Sequence, residues 1–87
     1  MKETFVIKNE LGLHARAAAK FVEITNKFES EIIVTIEDCT FDGKSIMGLL
    51  SIGIKKGDEI DVAISGNDEN EALVAIKKLL EEDLIDM

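Results

Sequence analysis

With 87 residues and a formal net charge of -8, this chain has room for one modest hydrophobic core and no deep cleft around a large substrate. It reads as a single domain, residues 1–87, suited to a carrier, a binding module or a regulator rather than a self-contained enzyme. The acidic balance and the absence of Trp and Tyr exclude nucleic acid, whose phosphates need clustered Lys and Arg and whose bases need stacking platforms.

Thr4 to Lys8 is rich in β-branched and aromatic residues and predicts a first strand. No apolar signal segment precedes it, and no apolar run is long enough to span a bilayer, so a cytoplasmic protein without membrane insertion is expected. Asn9 to Gly12 supplies turn residues. From Ala15 to Phe28, apolar Ala15, Ala18, Phe21, Val22, Thr25 and Phe28 recur at three- and four-residue spacing, which predicts a helix. His14, the single histidine, falls at or beside its N-cap.

Glu31 to Glu37 contains the β-branched run Ile32-Ile33-Val34-Thr35-Ile36, the strongest strand signal in the chain. Asp38-Cys39 reads as a turn and Thr40-Phe41-Asp42 as a short returning strand. Cys39 has no partner for an internal disulfide, fits a reducing compartment, and is expected to be a small buried thiol. Ser45 to Leu50 predicts a two-turn helix with Ser45 as N-cap and Met47 partly exposed. Ser51 to Gly57 is a connection. Glu59 to Ser65 alternates Ile60, Val62 and Ile64 against Glu59, Asp61 and Ala63, the pattern of a strand with one buried face.

Gly66 and Asn67 end that strand. Asp68 and Glu71 suggest a capping box for a helix running to about Glu82, with Ala72, Leu73, Ile76, Leu79 and Leu80 on one face. The carboxylates of Glu81, Glu82, Asp83 and Asp86 read as a solvated tail. The order β-α-β-β-α-β-α predicts an α+β fold: an open-faced β-sandwich whose four-stranded antiparallel sheet is covered on one face by helices.

His14 and Arg16 carry the chemistry. A lone surface histidine is ordinarily just a polar cap. Here it starts a helix, where free backbone N–H groups and the helix dipole favour an anion, with Arg16 two residues on. A neutral imidazole can attack a phosphoryl group, and ordinary histidines are largely neutral at cytosolic pH. Gly43-Lys44-Ser45 imitates the end of a phosphate-binding P-loop, but Asp38 stands where that motif needs glycine, so ATP binding is rejected. Cys39 with His14 is too sparse a set for a metal. Attachment of an acyl carrier group at Ser45 conflicts with the strands at Glu31–Glu37 and Glu59–Ser65.

Gly12-Leu13-His14-Ala15-Arg16, the stretch Lys44 to Ile54, and Ser65 to Leu73 resemble, in order and spacing, the HPr family. These are the histidine-containing phosphocarriers of the phosphoenolpyruvate-dependent sugar phosphotransferase system. The resemblance implies that His14 takes phosphoryl from enzyme I, at Nδ1, and passes it to IIA components of sugar permeases. Arg16 would assist the phosphate. Ser45 matches the serine phosphorylated by HPr kinase/phosphorylase, which together with a transcription regulator would add to the partners. Ala17, Lys20, Ile46, Met47 and Leu50 fall at partner-binding positions. A monomer without cofactor or metal is implied. One departure stands out: the family usually has Pro after the arginine, and this chain has Ala17, which keeps the helix and restores one N–H donor. That change raises a second reading, a regulatory relative acting mainly through protein binding.

Overall fold

The polypeptide makes its sheet from strands with one apolar side. In the computed structural model, which describes residues 1–87, these are β1 (Lys2–Val6), β2 (Glu31–Ile36), β3 (Cys39–Asp42) and β4 (Glu59–Ser65). They pair antiparallel in the order β1-β4-β2-β3. Ile32, Val34 and Ile36 of β2 and Ile60, Val62 and Ile64 of β4 point to the same buried side. Helices α1 (Ala15–Thr25), α2 (Ile46–Ser51) and α3 (Glu69–Lys78) cover that side, and a π-helical turn (Leu79–Asp83) prolongs α3. The element order is the expected β-α-β-β-α-β-α, and the four-stranded antiparallel sheet with helices on one face is the predicted open-faced sandwich.

One cluster of 19 buried apolar residues fills the space between sheet and helices. Each large member, such as Phe21, Ile60 or Leu49, contributes about 1.5–3 kcal/mol by leaving water. Ala17 and Ala18 of α1 are fully buried in this cluster.

Several local expectations shift. β1 begins at Lys2 and ends at Val6, because its register is set by β4: Lys2 lies opposite Ala63 and Val6 opposite Glu59. α1 stops at Thr25, and the amides of Lys27 and Phe28 turn back to the carbonyls of Ile24 and Thr25. The β2–β3 turn is Glu37-Asp38, with Glu37 in the left-handed region (φ 54°), so Cys39 belongs to β3 opposite Ile36. Cys39 is exposed rather than buried, because β3 is an edge strand with its first residues at the rim. Ser45 lies just outside α2, which runs one residue further to Ser51.

The expected capping box is also replaced. The Asp68 side chain makes no bond to α3. Its carboxylate instead accepts the amides of Glu29 (2.8 Å) and Ser30 (2.9 Å) and the Ser30 hydroxyl (2.5 Å). Those donors hold the Asp68 carboxyl below the usual carboxylate range, the Ser30 hydroxyl being the largest cause.

Candidate functional site

The approach to α1 is fixed on both sides of His14. Asn9 is buried, and its Nδ2 donates to the Gly12 carbonyl at 2.6 Å. The Gly12 amide returns to the Asn9 carbonyl at 3.1 Å. Gly12 has φ +63°, and a Cβ there would lie 2.3 Å from the Ile54 carbonyl oxygen. Only glycine meets both the conformation and the close approach. Leu13 then drives its side chain into the core and donates its amide to Ile54 at 3.0 Å. The next residue, His14, is left half-buried at the surface.

His14 is the N-cap of α1, in extended conformation. Its carbonyl accepts the Ala18 amide at 2.8 Å, and its Nδ1 accepts the Arg16 amide at 3.2 Å. An N-cap side chain ordinarily supplies an oxygen for this bond; here an imidazole nitrogen supplies it. Accepting that hydrogen bond places the ring lone pair on Nδ1 and the ring proton on Nε2. Nε2 is buried and makes no hydrogen bond. The reactive lone pair therefore faces the positive end of the helix dipole, and α1 has no acidic residue in its first turn to compensate that end. Arg16 is exposed and takes part in no ion pair.

The second predicted site is built at the other end of α1. Thr25 is fully buried and donates to the Gly43 carbonyl at 2.8 Å. Asn26 Nδ2 reaches the Lys44 carbonyl at 3.2 Å, and Lys44 Nζ reaches the Phe28 carbonyl at 2.7 Å. These bonds fasten the segment before α2 to the end of α1. Ser45 caps α2 as expected, its hydroxyl accepting the Gly48 amide at 3.2 Å. Beyond α2, Ile54 meets Leu13 at the start of α1. The two helices thus run side by side in opposite directions. His14 and Ser45 lie toward opposite ends of α1, an 11-residue helix about 16 Å long at 1.5 Å per residue, and do not form one site.

Between those ends lie the candidate contact residues. Met47 is 73% exposed, and Ile46 and Leu50 are half-buried against the core. Lys20 is exposed on α1. Ala17 is the correction: its side chain is fully buried under α1 and offers nothing to a partner at the surface. Two residues at the site escaped the sequence reading. Asn9 passed as an ordinary turn former, and Leu11, 67% exposed just ahead of Gly12, carried no pattern. No cluster of three or more His, Cys, Asp and Glu side chains is arranged to hold a metal ion. No helix is long and apolar enough to cross a membrane.

A half-buried imidazole whose Nδ1 lone pair lies at an uncompensated helix start, beside an exposed arginine, has the chemistry to accept a phosphoryl group and hold it moderately. The family described as PTS HPr component phosphorylation site matches residues 1–82. Phosphocarrier protein HPr of Neisseria meningitidis is 44% identical over 80 residues, covering 92% of this chain and 90% of that protein. HPr-like protein Crh of Halalkalibacterium halodurans is 42% identical over 77 residues, covering 88% of this chain and 92% of the other. Among solved structures, HPr of Thermoanaerobacter tengcongensis superposes with a TM-score of 0.94 at 39% identity, covering 100% of this chain and 98% of that one. The chain belongs to the HPr family of phosphocarrier proteins of the phosphotransferase system.

Proposed function

We propose that this chain carries phosphoryl groups on His14 Nδ1, receiving them from enzyme I and delivering them to IIA components of sugar permeases. The observation that carries the reading is the Nδ1 lone pair aimed at the first turn of α1, with no acid there and Arg16 free beside it. On loading, the Nδ1–P bond forms as the P–N bond of the donor phosphohistidine breaks; the released donor imidazole takes up one proton and the His14 ring gives one up, so the transfer is proton-neutral. On delivery the next protein's nucleophile attacks phosphorus in line as the Nδ1–P bond breaks. Such transfer depends on positioning and charge stabilisation rather than on a cofactor of the carrier's own. The protein is consumed and regenerated stoichiometrically, as a cytoplasmic monomer comprising one HPr-like domain.

Docking falls to Lys20, Ile46, Met47 and Leu50. Ser45 is the regulatory position, modified by an HPr kinase/phosphorylase. Its phosphate would add about two negative charges beside Met47 and weaken docking on acidic partners. The separation of Ser45 from His14 supports an effect on binding rather than on the histidine chemistry itself.

The similarity to Crh favours one alternative, a regulator that acts mainly by binding a transcription factor. Labelled phosphoenolpyruvate with purified enzyme I separates the two. Acid-labile, alkali-stable label on the parent and none on His14→Ala is the carrier's result. An unlabelled parent beside a working enzyme I control defeats that reading in favour of the regulator.

A further inference from the structure

The first turn of α1 holds a second backbone donor that nothing in the protein uses. An N-cap acceptor can reach the amide of the second or third helical residue. In α1 these are Arg16 and Ala17. Arg16 N–H is taken by His14 Nδ1. Ala17 N–H makes no hydrogen bond: the nearest helical carbonyls it could use, those of Leu13 and His14, accept nothing from it. The Ala17 side chain is locked in the core at zero exposure, so its peptide is rigidly placed.

Phosphorylation at Nδ1 consumes the lone pair that holds Arg16 N–H. That amide must then pass to a phosphoryl oxygen. The group brings three acceptor oxygens to the place where one nitrogen lone pair had been. We propose that the backbone N–H of Ala17 is a phosphoryl-binding donor, acting with the N–H and guanidinium of Arg16 to hold the phosphate on His14. The inference rests on the carrier reading and deepens it. A proline at position 17 could not make this bond. The consequence is a phosphorylated state held more firmly than the same site would hold it without that donor, so transfer equilibria lie further toward the loaded carrier.

The test uses the full chain labelled with nitrogen-15 and phosphorylated by potassium phosphoramidate, which needs no enzyme I. The amide proton resonances of Arg16 and Ala17 should both move strongly downfield on phosphorylation of Nδ1. Movement of Arg16 alone, or modification at Nε2, overturns the proposal. A second arm compares Ala17→Pro, which deletes the N–H, with Ala19→Gly, which weakens the same helix at an exposed position and leaves that N–H in place, at equilibrium with enzyme I and phosphoenolpyruvate. Proline should lower the ratio of phosphorylated to free carrier about tenfold, the equivalent of one hydrogen bond to a charged acceptor, and Ala19→Gly should stay within about twofold. A proline variant loaded as fully as the parent overturns the proposal. If enzyme I fails to label even the parent, the carrier reading falls, and the amide shifts still decide the role of Ala17.

Discussion

The amide of Leu13 sits 3.0 Å from the carbonyl oxygen of Ile54, and this bond closes the loop after α2 onto the start of α1. Gly12 makes the approach possible. Any side chain there would clash with Ile54 and Lys55 and would strain a backbone at φ +63°. Gly12→Ala should therefore cost at least about 2 kcal/mol of stability, from the left-handed backbone and the overpacking together. Because the residue displaced next is His14, labelling by enzyme I should slow as well. Urea denaturation and a labelling time course check both effects.

Asn9 should behave differently. Its Nδ2 satisfies the Gly12 carbonyl from a buried position. Asn9→Ala leaves that carbonyl without its donor and costs about 1–3 kcal/mol, while the Gly12 backbone itself stays unstrained. Asn9→Asp should be at least as damaging, since it replaces the donor with an acceptor facing an acceptor. Thermal unfolding of the two variants tests the ranking. A parent-like melting curve for Asn9→Asp would show that Asn9 does not hold the loop.

What was legible in the chain follows from the range of each interaction. Period-two alternation marked β4 and β2, and three- and four-residue spacing marked α1, because burial of one face is written locally. His14 as N-cap was legible for the same reason. Asp68 was misread because Ser30, its actual partner, lies 38 residues away. The β2–β3 turn was displaced by one residue because Glu37, which takes the left-handed conformation, is not a turn former by type. Alanines in α1 gave too weak a hydropathy contrast to show that Ala17, and not Ala15, faces the core. Neither the unused amide at position 17 nor the opposite placement of His14 and Ser45 is visible without the folded backbone.

Asp68 ties the turn before α3 to the turn before β2, and its bond set dictates a pH dependence. Its carboxyl titrates lower in the folded chain than in the unfolded one, first because the Ser30 hydroxyl donates to it, then because the Glu29 amide does. A depressed carboxylate stabilises the fold above the unfolded value, and the contribution is lost as pH falls through the folded one. Asp68→Asn should lower the melting temperature by several degrees at pH 7. The gap should hold down to about pH 5, begin to narrow near pH 4, the ordinary carboxylate value at which the unfolded chain takes up its proton, and go on narrowing as pH falls through the lower folded value. Melting curves across that range decide it. A gap unchanged at pH 3 would mean that the ionised carboxylate is not what clamps Ser30.

Ser45 combines a cap with a modification site, and two substitutions separate them. Ser45→Ala removes the acceptor for Gly48 N–H and should cost about 1 kcal/mol. Ser45→Asp keeps an acceptor and adds a negative charge at the start of α2, whose first turn has no acid, so stability should stay within about 0.5 kcal/mol of the parent. The same charge should weaken docking, as should Met47→Ala, which removes an exposed side chain at no cost to the core. Loading of His14 by potassium phosphoramidate should be unchanged in Ser45→Asp. The two residues lie toward opposite ends of α1, whose length of about 16 Å is roughly twice the screening length at physiological salt. Loading by enzyme I should fall, because that route requires docking. A Ser45→Asp variant slowed equally by both donors would show that the charge acts on the imidazole itself, and the binding account of Ser45 would have to be abandoned.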